Sequence, residues 1–280
     1  METARGLLEL TRPINALVAG VLTLVGAFVA GGTALGPIGA AVGATILATA
    51  GGNAINDYFD REIDRINAPE RPIPRGAVSP RLALGFSLGL FGGAVVAALT
   101  LPPVAIAIAG VNLLALVSYT SLFKGRPGAG NVIVGLLGGS TFPFGAAAVG
   151  RLDVTVGVLF VLAALSTITR EIIKDVEDIA GDRAEGLRTL PIVIGRRQAL
   201  HLAAVVLAVA ILASPLPYLR GELGWPYLLI VGPAVGVMAA AMVRSYRDPT
   251  AGQSWLKYGM FLAVVAFIVG RSAAVFGGFG

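Results

Sequence analysis

Nine runs of small and apolar residues, at 14–32, 36–56, 82–100, 103–122, 129–149, 154–173, 198–218, 225–243 and 255–276, leave this chain few folds to choose from. Each is close to the roughly 20 residues that a helix needs to cross bilayer hydrocarbon. There every backbone N–H and C=O must find its partner within the segment. Charged residues make up only 13% of the 280, about half the usual share, which excludes a soluble single core. The expected fold is all-α, a polytopic membrane protein with nine transmembrane helices.

Against that background the acidic residues are oddly placed. Of sixteen, five lie in 57–70 and six in 171–185, which is not a scattering of solubilising charge. The first stretch follows the second apolar run. At about 100° per residue, Asn53, Asp57, Asp60 and Asp64 share one helical face. The second stretch follows the sixth run, and Glu171, Asp175, Asp178 and Asp182 share a face in the same way, with Lys174 at its edge. Carboxylates stacked so closely repel one another unless a cation sits among them. Hard oxygen donors without Cys or His suit Mg²⁺, which takes one or two carboxylates and completes its shell with phosphate and water. The two faces therefore read as a divalent-metal clamp for a diphosphate. Their positions after runs 2 and 6, four spans apart, suggest an internal duplication of a four-helix unit with a ninth helix added, and the expected architecture is a ring-like bundle of these two units plus one. The chain is expected to form one domain over 1–280, with loops 57–81 and 170–197 forming a cap over the active site.

Basic residues set the orientation. Eighteen Lys and Arg fall on the side that carries the N-terminus and both acidic stretches, against Arg151, Arg220 and Arg271 on the other. By the positive-inside rule the N-terminus and the active site are cytoplasmic and the C-terminus lies outside. Because the arginines sit in loops between apolar spans, topology explains the net charge of +5 and no nucleic-acid partner is expected. Residues 1–12 carry Glu2 and Glu9 and no apolar core, so no cleavable signal is expected. There is no cysteine, and the one histidine, His201, reads as a helix-end residue rather than a ligand. Asn15 lies just inside the first apolar run, where an unpaired amide is costly, so a polar partner is expected for it. The short basic loop between Tyr119 and Asn131 brings Tyr119 and Lys124 forward as candidates at the diphosphate.

The residues Asn56-Asp57-x-x-Asp60-x-x-x-Asp64, Asp178-x-x-x-Asp182, Gly186-x-Arg188-Thr189, Arg12-Pro13-x-Asn15 and Tyr119…Lys124 together resemble the motifs of the UbiA-type intramembrane prenyltransferases. The likeness covers essentially the whole chain, and nine helices is the number in that family. Within it, the run from Asn56 to Pro74 and the run from Arg170 to Asp182 most resemble the archaeal digeranylgeranylglyceryl phosphate synthases. Chlorophyll synthases share much of the first run.

The resemblance implies a transferase that moves a geranylgeranyl group from its diphosphate to the free hydroxyl of geranylgeranylglyceryl phosphate, a lipid-like phosphoglycerol acceptor met among membrane lipids. It implies two Mg²⁺, one held by Asp57, Asp60 and Asp64 and another by Asp178 and Asp182. Lys124, Arg61 and Arg188 would touch the phosphate oxygens, and Arg12, Arg71 and Arg75 would attract the acceptor. Asn15, Asn53, Asn56, Lys174 and Thr189 would line the substrate site, with Tyr119 among the catalytic groups. Glu171 or Asp175 would accept the acceptor's proton. The alternatives are prenylation of 4-hydroxybenzoate or a quinone precursor, or of a chlorophyllide-like macrocycle. A transporter is the rival from another class, but its charged site would lie nearer the bilayer midplane.

Overall fold

The computed structural model describes residues 2–119, 123 and 126–276. Two compact units are distinguished, one formed by Met1–Ala27, Gly31–Leu122 and Thr141–Arg151, the other by Phe28–Ala30, Phe123–Ser140 and Leu152–Gly280. Among the described residues all regular structure is helical.

The first unit contains α1 (Glu2–Leu10), α2 (Pro13–Val29), α3 (Leu35–Asn67), α4 (Pro80–Ala98), α5 (Pro103–Ser118) and the end of α6 (Ala129–Ala148). Its core is built largely from alanine: Ala41, Ala44, Ala98, Ala105, Ala147 and Ala148 pack with Leu101 and Phe144. Such small side chains let helix backbones approach closely, as membrane bundles require. The closest approach is between α2 and α6, where a Cβ on Gly26 would strike the carbonyl of Phe142 and one on Gly145 the carbonyl of Thr23. Thr23 and Thr45 join α2 to α3 through their hydroxyls, 2.8 Å apart. Ser79 caps α4 by accepting from Leu82 N, with Pro80 at a position where its missing N–H costs nothing.

The second unit continues with the start of α6, then α7 (Val154–Glu177), α8 (Ile179–Ala184), α9 (Leu190–Ile194), α10 (Arg196–Ala213), α11 (Leu216–Leu219), α12 (Pro226–Ser245) and α13 (Pro249–Phe276). Asp153 caps α7, accepting from Val156 N at 2.9 Å. Ile172, Ile173 and Val176 of α7 meet Ala199, Leu200, Ala203 and Leu207 of α10 and Met238, Ala241 and Met242 of α12 in one buried cluster.

Among the described residues each of the nine apolar segments contains helix, and seven helical stretches are long and apolar enough to cross a membrane unaided. The pair α1 and α2, bent by 42°, meets the same test only together, and α5 has 16 residues. The chain is a multi-pass membrane protein. At 33 residues α3 is about 50 Å long, well beyond the roughly 30 Å hydrocarbon thickness, so one end must project from it. The first acidic stretch occupies the last turns of that helix.

Candidate active site

In the first unit α3 runs unbroken from Leu35 to Asn67, so Asn53, Asp57, Asp60 and Asp64 do share a face. Asp57 and Asp64 are each only 5% exposed. Two arginines from other segments meet them. Arg12 Nη2 donates to Asp57 Oδ1 at 2.7 Å, and Arg71 Nη1 lies 2.7 Å from Asp64 Oδ2 and 3.6 Å from Asp57 Oδ1. Burial works against the charge of Arg71, but its bond to Asp64 and the fields of Asp57, Asp64 and Asp60 outweigh it and raise its pKa. The cation that the stacked carboxylates call for is thus supplied, in this structure, by guanidinium groups.

The joint that brings Arg12 there is strained. Its φ of +46° makes it the one residue other than glycine with positive φ among those described, at a cost of the order of 1 kcal/mol. Asn53 stabilises the same joint, its Nδ2 donating to Thr11 O at 2.9 Å. Arg71 is held by the loop that follows α3. That loop packs on α1, where Gly6 leaves room for Val78, Ala77 and Pro72, and Arg75 Nη2 pairs with Glu9 Oε2 at 2.8 Å. Arg61 turns back to Tyr58, donating to its carbonyl at 2.8 Å with the guanidinium 4.7 Å from the ring centroid. Asn56 Oδ1 is buried and has no hydrogen-bond partner. Asn15 is exposed, and its side chain makes no hydrogen bond within the described residues. Tyr119 caps α5, and Lys124 lies outside the described residues.

In the second unit the expected single face is interrupted. Helix α7 ends at Glu177, Asp178 adopts φ −90° and ψ 4°, and Asp182 lies on the separate α8. Aspartate competes with the helix for its own backbone, which explains a break at this residue. Asp175 accepts from Asn131 Nδ2 at 2.8 Å, and Asn131 is itself buried. Arg170 pairs with its neighbour Glu171 at 2.8 Å and keeps a buried, unbonded Nε. Lys174 and Arg188 are exposed. Thr189 is buried, its Oγ1 without a partner in hydrogen-bond geometry although close enough to Asp182 to lower that carboxyl's pKa. Burial is the larger influence on both Asp178 and Asp182, and the pKa of each stands above the ordinary aspartate value.

Among the described residues no three acidic or histidine side chains converge closely enough to hold an ion by themselves. The donor chemistry nonetheless fits Mg²⁺. Asp57 and Asp64 offer buried carboxylates on one face, the orphaned Asn56 Oδ1 is a further hard donor, and Mg²⁺ ordinarily fills the rest of its shell from phosphate and water. Two partners were not legible beforehand. Glu9 and Asn131 are defined only by side chains distant in sequence.

The UbiA prenyltransferase family matches residues 19–265. The chain belongs to that family. The digeranylgeranylglyceryl phosphate synthase of Halobacterium salinarum is 63% identical over 273 residues, covering 97% of this chain and 99% of that protein. A solved structure of a digeranylgeranylglyceryl phosphate synthase in membranes superposes with a TM-score of 0.85 at 35% identity, over 97% of this chain and 99% of the other. A UbiA homologue from Archaeoglobus fulgidus, solved with DMAPP and Mg²⁺, shares the fold at a TM-score of 0.73 and 19% identity, over 95% and 99% of the two chains. The UbiA membership makes this chain a prenyltransferase.

Proposed function

We propose that this UbiA-family enzyme transfers a geranylgeranyl group from geranylgeranyl diphosphate to the free hydroxyl of geranylgeranylglyceryl phosphate, in archaeal ether-lipid synthesis. The observation that carries the reading is the 63% identity, across nearly the whole chain, to a protein named for that product. In the transfer the allylic C1–O bond to diphosphate breaks, a bond from C1 to the acceptor oxygen forms, and the hydroxyl proton passes to a base.

Asp57, Asp60 and Asp64 would hold one Mg²⁺, and Asp178 and Asp182 a second. The metal supplies a Lewis acid that neutralises the leaving diphosphate. Arg71 and Arg12, which meet the carboxylates of Asp57 and Asp64, are the groups to be exchanged for it. Once released, their guanidiniums can bind phosphate oxygens in pairs of parallel hydrogen bonds. Lys124, Arg61, Lys174 and Arg188 add positive charge, and Asn15, Asn53, Asn56 and Thr189 line the site. The ring face of Tyr58, Phe59, Tyr119 or Phe123 can stabilise positive charge developing on C1. Glu171 or Asp175 takes the hydroxyl proton, and the bond from Asn131 orients Asp175 for that role. Arg75 draws in the phosphoglycerol headgroup.

The same reading places nine spans in a ring of two four-helix units plus one, as a single domain over 1–280. Loops 57–81 and 170–197 cover the site on the cytoplasmic side, and the C-terminus lies outside. The test offers purified enzyme geranylgeranyl diphosphate with geranylgeranylglyceryl phosphate, 4-hydroxybenzoate or a chlorophyllide, each with and without Mg²⁺. Mg²⁺-dependent product with the phosphoglycerol alone is expected. Preference for either ring acceptor overturns the assignment.

A further inference from the structure

A second cluster of charge, in the second unit, takes no part in the chemistry above. Residues 196–201 and 244–258 hold five basic residues and one acidic residue, Asp248. The fold gathers several of them at one end of α10, α12 and α13. Tyr246, just past α12, accepts at its carbonyl from Arg196 Nη2 at 3.3 Å, and its hydroxyl lies 3.0 Å from His201 Nδ1. Arg244 lies over Trp255 of α13, 5.2 Å from the ring centroid. Among the described residues its single carboxylate neighbour is Asp248 at 3.9 Å, a long contact between half-exposed side chains that neutralises little. Arg196, Arg197, Arg247 and Lys257 have no carboxylate within 4 Å among the described residues.

Topology asks only that positive charge lie at this end of the helices. It does not ask that two arginines be fixed, one by a backbone carbonyl and one by an indole face. Next to the cluster the exposed side chains become apolar: Leu202, Val205, Val209 and Leu212 run along one side of α10, and Tyr258, Phe261 and Val265 along α13. A fixed positive site at the head of an apolar helix face matches an amphiphile with an anionic head, and a soluble anion would leave the apolar half unused. The hydrogen bond from Thr250 to Glu177, at 2.8 Å, puts the start of α13 beside the end of α7. The cluster therefore lies at the level where α7 presents the second acidic motif.

We infer that Arg196, His201, Arg244, Tyr246 and Trp255 form a binding site for the phosphate headgroup of an anionic membrane lipid, separate from the prenyl-transfer site, with the acyl or prenyl chains lying along α10 and α13. The site concerns bound lipid, and stands whether or not the acceptor named above is correct.

The experiment is native mass spectrometry of the full chain released from micelles containing equal phosphatidylglycerol and phosphatidylcholine. The wild type should retain phosphatidylglycerol in excess. An Arg196→Ala/Arg244→Ala double variant should lose that excess, at about fivefold for each cation removed. An Arg196→Lys/Arg244→Lys variant should keep most of it, which separates lost charge from a damaged fold. Adding soluble glycerol phosphate should leave the retained lipid in place. Equal retention of the two lipids by the wild type, an unchanged excess in the alanine variant, or ready displacement by glycerol phosphate would each overturn the inference.

Discussion

Arg71 Nη1 stands 2.7 Å from Asp64 Oδ2, so a loop residue is bound to a carboxylate seven residues earlier, in the last turn of α3. The contact extends to Asp57 at 3.6 Å, and Arg12 completes it from the start of α2. Any divalent cation that binds this face competes with the two guanidiniums.

Removing Arg71 should therefore act in opposite directions on stability and on metal binding. Arg71→Ala leaves two buried carboxylates short of positive charge and should lower stability by about 1–3 kcal/mol, after discounting for the part of the guanidinium that is in solvent. Mg²⁺ alone should restore more of the lost Tm than it adds to the wild type, because its competitor is gone. Thermal unfolding in detergent with and without Mg²⁺ checks both signs.

Turnover should depend on the carboxylates of both units. Asp57→Asn or Asp178→Asn is expected to lower kcat/KM by about 10²-fold or more, as loss of one charge-stabilising group does in other enzymes. Chelating divalent cations should abolish product formation. Undiminished turnover in excess chelator would exclude the clamp.

Acidification should weaken metal binding sooner than ordinary aspartates would allow. Burial raises the pKa of Asp178 and Asp182, and only the ionised carboxylate coordinates. As pH falls, both take up protons at a pH above the usual aspartate range, and Mg²⁺ affinity drops with them. For stability the sign is reversed: a carboxyl whose folded pKa is raised favours the protonated folded state, so the metal-free protein loses stability as pH rises through that window. Titrating Mg²⁺ by calorimetry over a pH series reads the first effect, and metal-free Tm over the same series reads the second.

Arg75 is expected to serve the acceptor and not the donor. It is tied to Glu9 of α1 and to the carbonyl of Glu70, whereas the ion pairs of Asp57 and Asp64 among the described residues are with Arg12 and Arg71. Arg75→Ala should raise the apparent KM for the phosphoglycerol acceptor and leave that for the diphosphate nearly unchanged. Equal weakening of the donor would assign the loop to the diphosphate.

The contact of α2 with α6 should tolerate no side chain. Gly145→Val would force the Thr23 carbonyl away and should cost about 1–3 kcal/mol or more. Loss of Tm without a change in the metal dependence of the remaining activity is the expected signature.

The apolar segments were legible because a run of that length has one physical solution in a bilayer, and seven helical stretches among the described residues have that length and character. The first motif's face was legible for a related reason. Nothing interrupts α3 between Asn53 and Asp64, so the helical period alone aligned them. The second motif defied the same arithmetic because the period fails wherever a helix stops, and α7 stops before Asp178. Short helices such as α8 and α11 have too few residues to show a period. The pairings of Arg71, Glu9 and Asn131 join residues distant along the chain, and depend on how the loop and the helices pack. No local pattern encodes that.

The left-handed turn at Arg12 has a consequence for anyone seeking a sturdier version of this enzyme. Glycine at that position would relax the backbone and, judged by conformation alone, would be a thermostabilising choice. It would also delete the guanidinium that meets Asp57. Backbone relief and charge pairing thus pull one position in opposite directions, and a choice made on backbone conformation alone would put the wrong residue there.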